Sequence, residues 1–371
     1  MKKYLVIMTI WLLPITAQAA EFIGGYDLSA SGYYGYSEYA DKYRTRYKHN
    51  HTPGIIEAGG YAGYAFADES ELRVHALLQL SSGKEVEDYN QGKWGENLYL
   101  TYASDYGELS IGQIYNAAYQ MAVGAPSVGA FKVNNTPLTD FIANPNWQRN
   151  DRRVGYRTLN STYLNTDGEA IKVSYITPEL HGSKLAFSFT PDSYSRAGLI
   201  NKRSRYENKS SYAAGMYSEF DLWGLQAETS LGYAYNHRNN QEISAGASFY
   251  RKGWTLGGSY RKSFTGSHDY ALNNYRGSYT PYDFDGYRRG QAFNVGLSYE
   301  IGPFKTGISY FAAYSDKYDN RDSIVSWSNR VSLNKYMAIY LTGAYAEYIG
   351  KEATADGNRG YAFIGGVELN I

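Results

Sequence analysis

Between positions 132 and 157 the chain carries seven charged side chains, Lys132, Asp140, Arg149, Asp151, Arg152, Arg153 and Arg157, five of them basic and two acidic. Groups of this kind do not by themselves make or break bonds. Set around a narrow aqueous passage with low-dielectric walls, they impose a field that sorts solutes by charge, and the basic excess tilts that field toward anions. Four more residues on alternating segments could line the same passage: Arg73, His75, Lys172 and Arg330. Reactive chemistry is poorly supplied by comparison. The six histidines, His49, His51, His75, His181, His237 and His268, fall mostly in connections, and the sequence marks no catalytic residue among them. Their spacing is wrong for a zinc set, and cysteine is absent. No enzyme activity, metal or cofactor is therefore expected. Acidic connections such as Glu85-Val86-Glu87-Asp88 and Asp316-Lys317-Tyr318-Asp319 are ordinary solvated tips or weak cation sites.

Composition bounds what can position such charges. The chain has 41 Tyr, 39 Gly and 9 Pro, and 16% of its residues are aromatic, a bias toward strands and turns. Its 36 basic and 36 acidic residues cancel, so nothing points to nucleic acid as a partner. The opening is Met1-Lys2-Lys3, then an apolar run from Tyr4 through Ile15, then Ala17-Gln18-Ala19. This is the pattern of a secretory signal over residues 1–19, cut after Ala19. The run is too short for the about 20 residues of a membrane-spanning helix. Mean hydropathy is −0.51, and no later stretch is apolar enough to span as a helix. With no linker or composition shift, residues 20–371 are expected to form one domain.

The elements follow from a period of two. From Glu71 to Ser81, Leu72, Val74, Ala76, Leu78 and Leu80 fall on one face, while Arg73, His75, Gln79 and Ser81 fall on the other. Gln241 to Tyr250 separates Ile243, Ala245, Ala247 and Phe249 from Ser244, Gly246 and Ser248, and Gln291 to Ile301 repeats the pattern. Such runs are about 10 residues long, enough for a tilted strand to cross a bilayer and longer than most soluble strands. Sixteen runs are expected, beginning near Glu21, Gly54, Glu71, Glu96, Glu108, Glu169, Ser183, Lys209, Leu225, Gln241, Trp254, Gln291, Phe304, Asp322, Met337 and Arg359. Short and long connections alternate between them, and the longest is Tyr115 to Gly168. Backbone groups cannot be left unpaired in hydrocarbon, so strands can cross only if the sheet closes. Closure must set Arg359 to Ile371 beside Glu21 to Tyr36. The expected fold class is all-β, a transmembrane antiparallel 16-stranded β-barrel. Tyr33-Tyr34, Tyr99, Trp254 and Trp327 are read as aromatic girdles at the membrane interfaces.

Three stretches carry a family resemblance. Gly107-Glu108-Leu109-Ser110-Ile111-Gly112-Gln113 resembles the porin strand before an inward-folded third loop. The long connection follows, with Gly124-Ala125-Pro126 and Asn150-Asp151-Arg152-Arg153. Ile171-Lys172-Val173-Ser174-Tyr175-Ile176-Thr177-Pro178-Glu179-Leu180 is similar to the strand and turn after that loop. The whole pattern is that of the general porins of Gram-negative bacteria. The last strand, with Tyr361, Phe363, Val367 and Leu369 on one face, looks like an assembly signal, but the chain ends in Ile371 where the family usually has an aromatic residue. The acidic Pro-Glu-Phe-Gly-Gly-Asp loop motif is missing, so a cation preference is not carried over.

The resemblance implies an outer-membrane channel for passive diffusion of small hydrophilic solutes and ions. It implies that Tyr115 to Gly168 folds into the lumen, contact with outer-membrane lipid and lipopolysaccharide, and a homotrimer. The outward small residues Gly24, Ala30, Gly32, Ala58, Gly60 and Ala62 suit close subunit approach. Two alternatives remain: a solute-specific channel, and an adhesin or binding barrel whose outer loops carry the function.

Overall fold

A computed structural model describes residues 21–37, 50–51, 54–82, 94–128, 133–134, 142, 158–159, 161–164, 167, 170–191, 210–236, 240–264, 290–316, 320–349 and 357–370. Among them are seventeen β segments. One is the two-residue pair Asn50–His51, which adds to the first strand, and sixteen strands remain. They are β1 (Glu21–Ser37), β2 (Gly54–Ala65), β3 (Glu71–Ser82), β4 (Trp94–Ser104), β5 (Gly107–Gln113), β6 (Ile171–Ile176), β7 (Ser183–Thr190) and β8 (Ser211–Leu222). The second half comprises β9 (Leu225–Asn236), β10 (Asn240–Arg251), β11 (Trp254–Ser263), β12 (Gly290–Ile301), β13 (Phe304–Ser315), β14 (Arg321–Ser332), β15 (Met337–Ile349) and β16 (Asn358–Asn370). The sequence-derived starts agree to within two residues: Glu96 against Trp94, Glu169 against Ile171 and Lys209 against Ser211 mark the largest offsets.

Each strand pairs antiparallel with its sequence neighbour, and the ring closes where Ser29 to Ser37 of β1 pair with Asn370 to Ala362 of β16. The other half of β1 pairs with β2, from Glu21 opposite Ala65 to Gly32 opposite Gly54. Among the described residues every strand has a neighbour on both sides, the closure that a bilayer requires.

One rim has tight turns. His181-Gly182, Trp223-Gly224 and Lys252-Gly253 each place two successive residues in the left-handed region, the arrangement of a type I′ hairpin turn. The turn after β2 is fastened by Asp68, whose carboxylate accepts from the Ser70 hydroxyl at 2.7 Å and amide at 3.1 Å. These bonds hold the Asp68 carboxyl below the usual carboxylate range.

The two faces differ as alternation requires. Outward side chains such as Val74, Phe187, Leu231, Val295 and Ile308 are large, apolar and exposed, as lipid-facing groups must be. The intervening Ser174, Ser188, Ser230, Ser259 and Asn294 are buried on the inner face. That face is not polar throughout. On β12 to β16 the inward Ala292, Phe311, Ile324, Tyr340, Tyr348 and Ile364 form an apolar cluster with Val133, Ile142 and Leu159 of the long connection. Two girdle expectations need correction. Tyr99 points inward and stacks on His75, and Trp327 lies mid-strand in β14, exposed on the lipid face.

Candidate functional site: the inner wall and the connection on it

After β5 the chain leaves the sheet and makes one short helical turn, α1 (Ala117–Gln120). Asn116 caps it, its side-chain oxygen accepting from the Tyr119 amide at 3.0 Å. The described residues beyond it follow the inner face from strand to strand. The Ala117 amide donates to Ser188 Oγ of β7 at 3.0 Å, and the Val123 amide to Ser230 Oγ of β9 at 2.9 Å. Farther on, Ser309 of β13 donates to the Pro126 carbonyl at 3.4 Å.

Small inward residues make this approach possible. A Cβ on Gly215 would stand 2.7 Å from the Ala117 carbonyl oxygen, one on Gly257 2.7 Å from that of Gly124, and one on Gly307 2.8 Å from Val128. A Cβ on Gly246 would overlap the Val123 carbonyl outright. Gly215, Gly246 and Gly257 are used for close backbone approach, the role a strand glycine takes when another chain segment crosses it.

Two buried polar clusters fix the ends. At the base, Asp167 accepts from Asn116 Nδ2 at 2.7 Å and Thr190 Oγ1 at 2.5 Å, so it ties the first and last parts of the connection to β7. Lys172 of β6 is fully buried beside it. Its ammonium lies 3.8 Å from the Asp167 carboxylate and donates to the carbonyls of Ile114 and of Ala170, the latter at 2.7 Å. Across the barrel, Arg261 of β11 pairs with Glu242 of β10 at 2.6 Å, both nearly inaccessible. The same guanidinium donates to the carbonyls of Tyr163 at 2.8 Å and Ser161 at 3.3 Å. Thr162, between them, shares a hydrogen with Ser259 at 2.5 Å and exchanges two bonds with Asn134. Near the rim Thr158 donates to Asp322 of β14.

Space remains against β1 to β5. A cavity of about 360 Å³ lies between that wall and the first residues of the connection, lined by Asp27, Tyr61, His75, Tyr99, Glu108 and Tyr115 among others. His75 stacks on Tyr99 with centroids 4.5 Å apart and planes 6° from parallel. A second, uncharged cavity of about 220 Å³ sits between the connection and β12 to β14, lined by Ser309, Ser326, Ser328, Asn134 and Asn294.

A profile of Gram-negative porins matches residues 59–351, most of the chain. The chain belongs to the Gram-negative porin family. As a porin it sits in the bacterial outer membrane and forms a channel for small solutes, which a barrel of this strand number is wide enough to do. Comparison with curated proteins gives no significant match. Among solved structures the fold is similar to the anion-selective porin from Comamonas acidovorans, with TM-score 0.59 and 14% identity over 95% of this chain and 100% of that one. It is also similar to a loop L8 deletion mutant of OmpT from Vibrio cholerae, with TM-score 0.56 and 11% identity over 94% and 99%. A triple mutant of Rhodopseudomonas blastica porin gives TM-score 0.54 and 9% identity over 94% and 100%.

The sequence-derived site residues of this porin fall into two groups. Lys132, Asp140, Arg149, Asp151, Arg152, Arg153 and Arg157 lie outside the described residues. The four wall residues are all inward by strand parity, in different surroundings. His75 lines the larger cavity. Arg73 lies 5.3 Å over the Tyr61 ring and pairs with Glu71. Arg330 is about one-third exposed, 3.5 Å from Glu368. Lys172 is enclosed rather than open to the channel, because the connection covers it.

What the residue reading missed is the fastening: Asn116, Asp167, Glu242 and Arg261. The legible signal was the run of inward Gly and Ser on successive strands, a surface too small-chained to fill space by itself.

Proposed function

We propose that this porin is a general diffusion channel whose aqueous path runs between the inner wall of β1 to β5 and the connection from Tyr115 to Gly168, which folds into the lumen and narrows it. The observation that carries the reading is the close seating of the connection's backbone on inward glycines of β8, β10 and β11. A segment held at mid-wall takes up part of the lumen and leaves the acidic and aromatic side near Asp27 and Glu108 for water. In this reading Lys132, Arg149, Arg152, Arg153 and Arg157, with Asp140 and Asp151, set pore size and charge selectivity. Diffusion needs no covalent step, so the chain works without a catalytic residue or cofactor. Residues 1–19 act as an export signal and are removed.

The functional unit in this reading is a homotrimer in lipid and lipopolysaccharide. The register supports it: Gly24 stands opposite Ala62, Gly60 opposite Tyr26 and Ala58 opposite Leu28, so each of these outward pairs across β1 and β2 has at least one small member, with Tyr26 and Leu28 standing out beside them. Crosslinking and gel mobility before heating test the assembly, and a monomer throughout counts against it. The constriction is tested with Arg152→Ala/Arg153→Ala in single-channel recordings at low and high KCl. Removing the charges should shift the reversal potential toward cations at low salt, with the shift screened at high salt. Unchanged conductance and reversal potential at both salts would refute the placement.

A further inference from the structure

We propose that the larger cavity is a transit site for organic cations, in which aromatic faces and two carboxylates receive an ammonium group carried on an apolar body. The inference rests on the reading of this cavity as part of the aqueous path, and it adds a substrate class to that reading. The cavity, about 360 Å³, is within the range of small-molecule sites. Its described lining includes Asp27 and Glu108 but neither lysine nor arginine. Asp27 lies over Gly59, where a Cβ would come 2.7 Å from its Oδ1, so its carboxylate occupies room that any larger residue at 59 would take. Glu108 accepts from Ser110 at 3.2 Å, and Ser110 in turn contacts Thr101 at 2.9 Å, so hydroxyls orient this second carboxylate.

Rings supply the rest. Tyr61 and Tyr99 flank His75, and Tyr115 faces them from the connection, itself stacked on Tyr119 with centroids 4.2 Å apart. The molecule already uses one of these rings for a cation, since the Arg73 guanidinium lies 5.3 Å over Tyr61. That guanidinium is paired with Glu71. Aromatic faces beside two carboxylates, with no lysine or arginine among the described lining, favour a weakly hydrated organic ammonium over both inorganic cations and anions, because such a charge gives up little water to reach a ring face. A passage site must also release its ligand, so the binding expected is weak and fast.

The test is single-channel recording of the full barrel in planar bilayers in KCl. Benzyltrimethylammonium is titrated in, and benzenesulfonate, an anion built on the same ring, is titrated separately. The expected result is brief interruption of the KCl current by benzyltrimethylammonium at concentrations where benzenesulfonate does nothing. Asp27→Asn should weaken that block about threefold or more. Tyr99→Leu should weaken it about tenfold, the factor that corresponds to about 1.4 kcal/mol. If Tyr99→Leu fails to insert, Glu108→Gln takes its place, with a threefold loss expected. Equal or stronger block by benzenesulfonate overturns the inference. So does block undiminished in every inserted variant, and so does a wild-type channel that conducts KCl with no block. A folded wild-type barrel that passes no KCl would instead overturn the pore reading beneath it.

Discussion

Replacing Arg261 by methionine should free the returning leg of the long connection while leaving the barrel intact. The guanidinium bonds Glu242 at 2.6 Å and the carbonyls of Tyr163 and Ser161 at 2.8 and 3.3 Å, and it is almost wholly buried. Truncating one partner of such a pair leaves a buried carboxylate uncompensated, which costs about 3–5 kcal/mol. The strand ladders of β10 and β11 pair ten residues deep and do not depend on this side chain, so the cost falls on the attachment of residues 161–164. A local loss of about 3 kcal/mol raises the detached population by roughly two orders of magnitude, at about 1.4 kcal/mol per tenfold.

The Thr162 amide reports it: the amide donates to Asn134 Oδ1 at 2.8 Å and the hydroxyl of the same residue meets Ser259 of β11 at 2.5 Å, so both bonds are expected to open when the leg lifts. Hydrogen exchange of the folded protein in detergent should therefore be about a hundredfold faster at Thr162 in Arg261→Met, with β10 and β11 amides unchanged. Adding Glu242→Gln should recover part of the protection, since it removes the stranded charge. Exchange at Thr162 that stays within threefold of wild type would refute the assignment of Arg261 as the fastening.

Gly246→Ala sets a methyl against the Val123 carbonyl and should cost about 1–3 kcal/mol of overpacking, whereas Gly365→Ala, with open space around it, should cost nothing measurable. The temperature at which each variant loses its folded gel mobility checks the contrast. Lys172→Met should lower stability to urea by about 3 kcal/mol because it removes a buried ammonium beside Asp167. Arg330→Met, whose contact with Glu368 is partly exposed, should change it by about 1 kcal/mol or less.

Much of the fold was legible because strand periodicity and closure leave few options. Alternation placed Val74 and Ile243 on one face and Ser244 and Ser248 on the other, and the need to seal the sheet paired β16 with β1. Parity states which face a residue occupies. It does not state what covers that face. Lys172 therefore reads as a charge lining the passage, although the connection encloses it. Phe311 and Ile364 gave no sign of an internal apolar cluster, since their partners Val133, Ile142 and Leu159 lie in a connection without periodicity. Tyr99 shows the same limit from the other side. A tyrosine on a strand suits an interface girdle or an inner wall, and only register against His75 decides.

The central claim, an open aqueous path through a sealed barrel, is tested most directly by adding the purified, folded protein to a planar lipid bilayer between KCl solutions. The account predicts discrete upward current steps that are linear in voltage near zero and persist for seconds, each marking the insertion of a permanently open channel. Folded protein that incorporates into the membrane yet gives no such steps would contradict it.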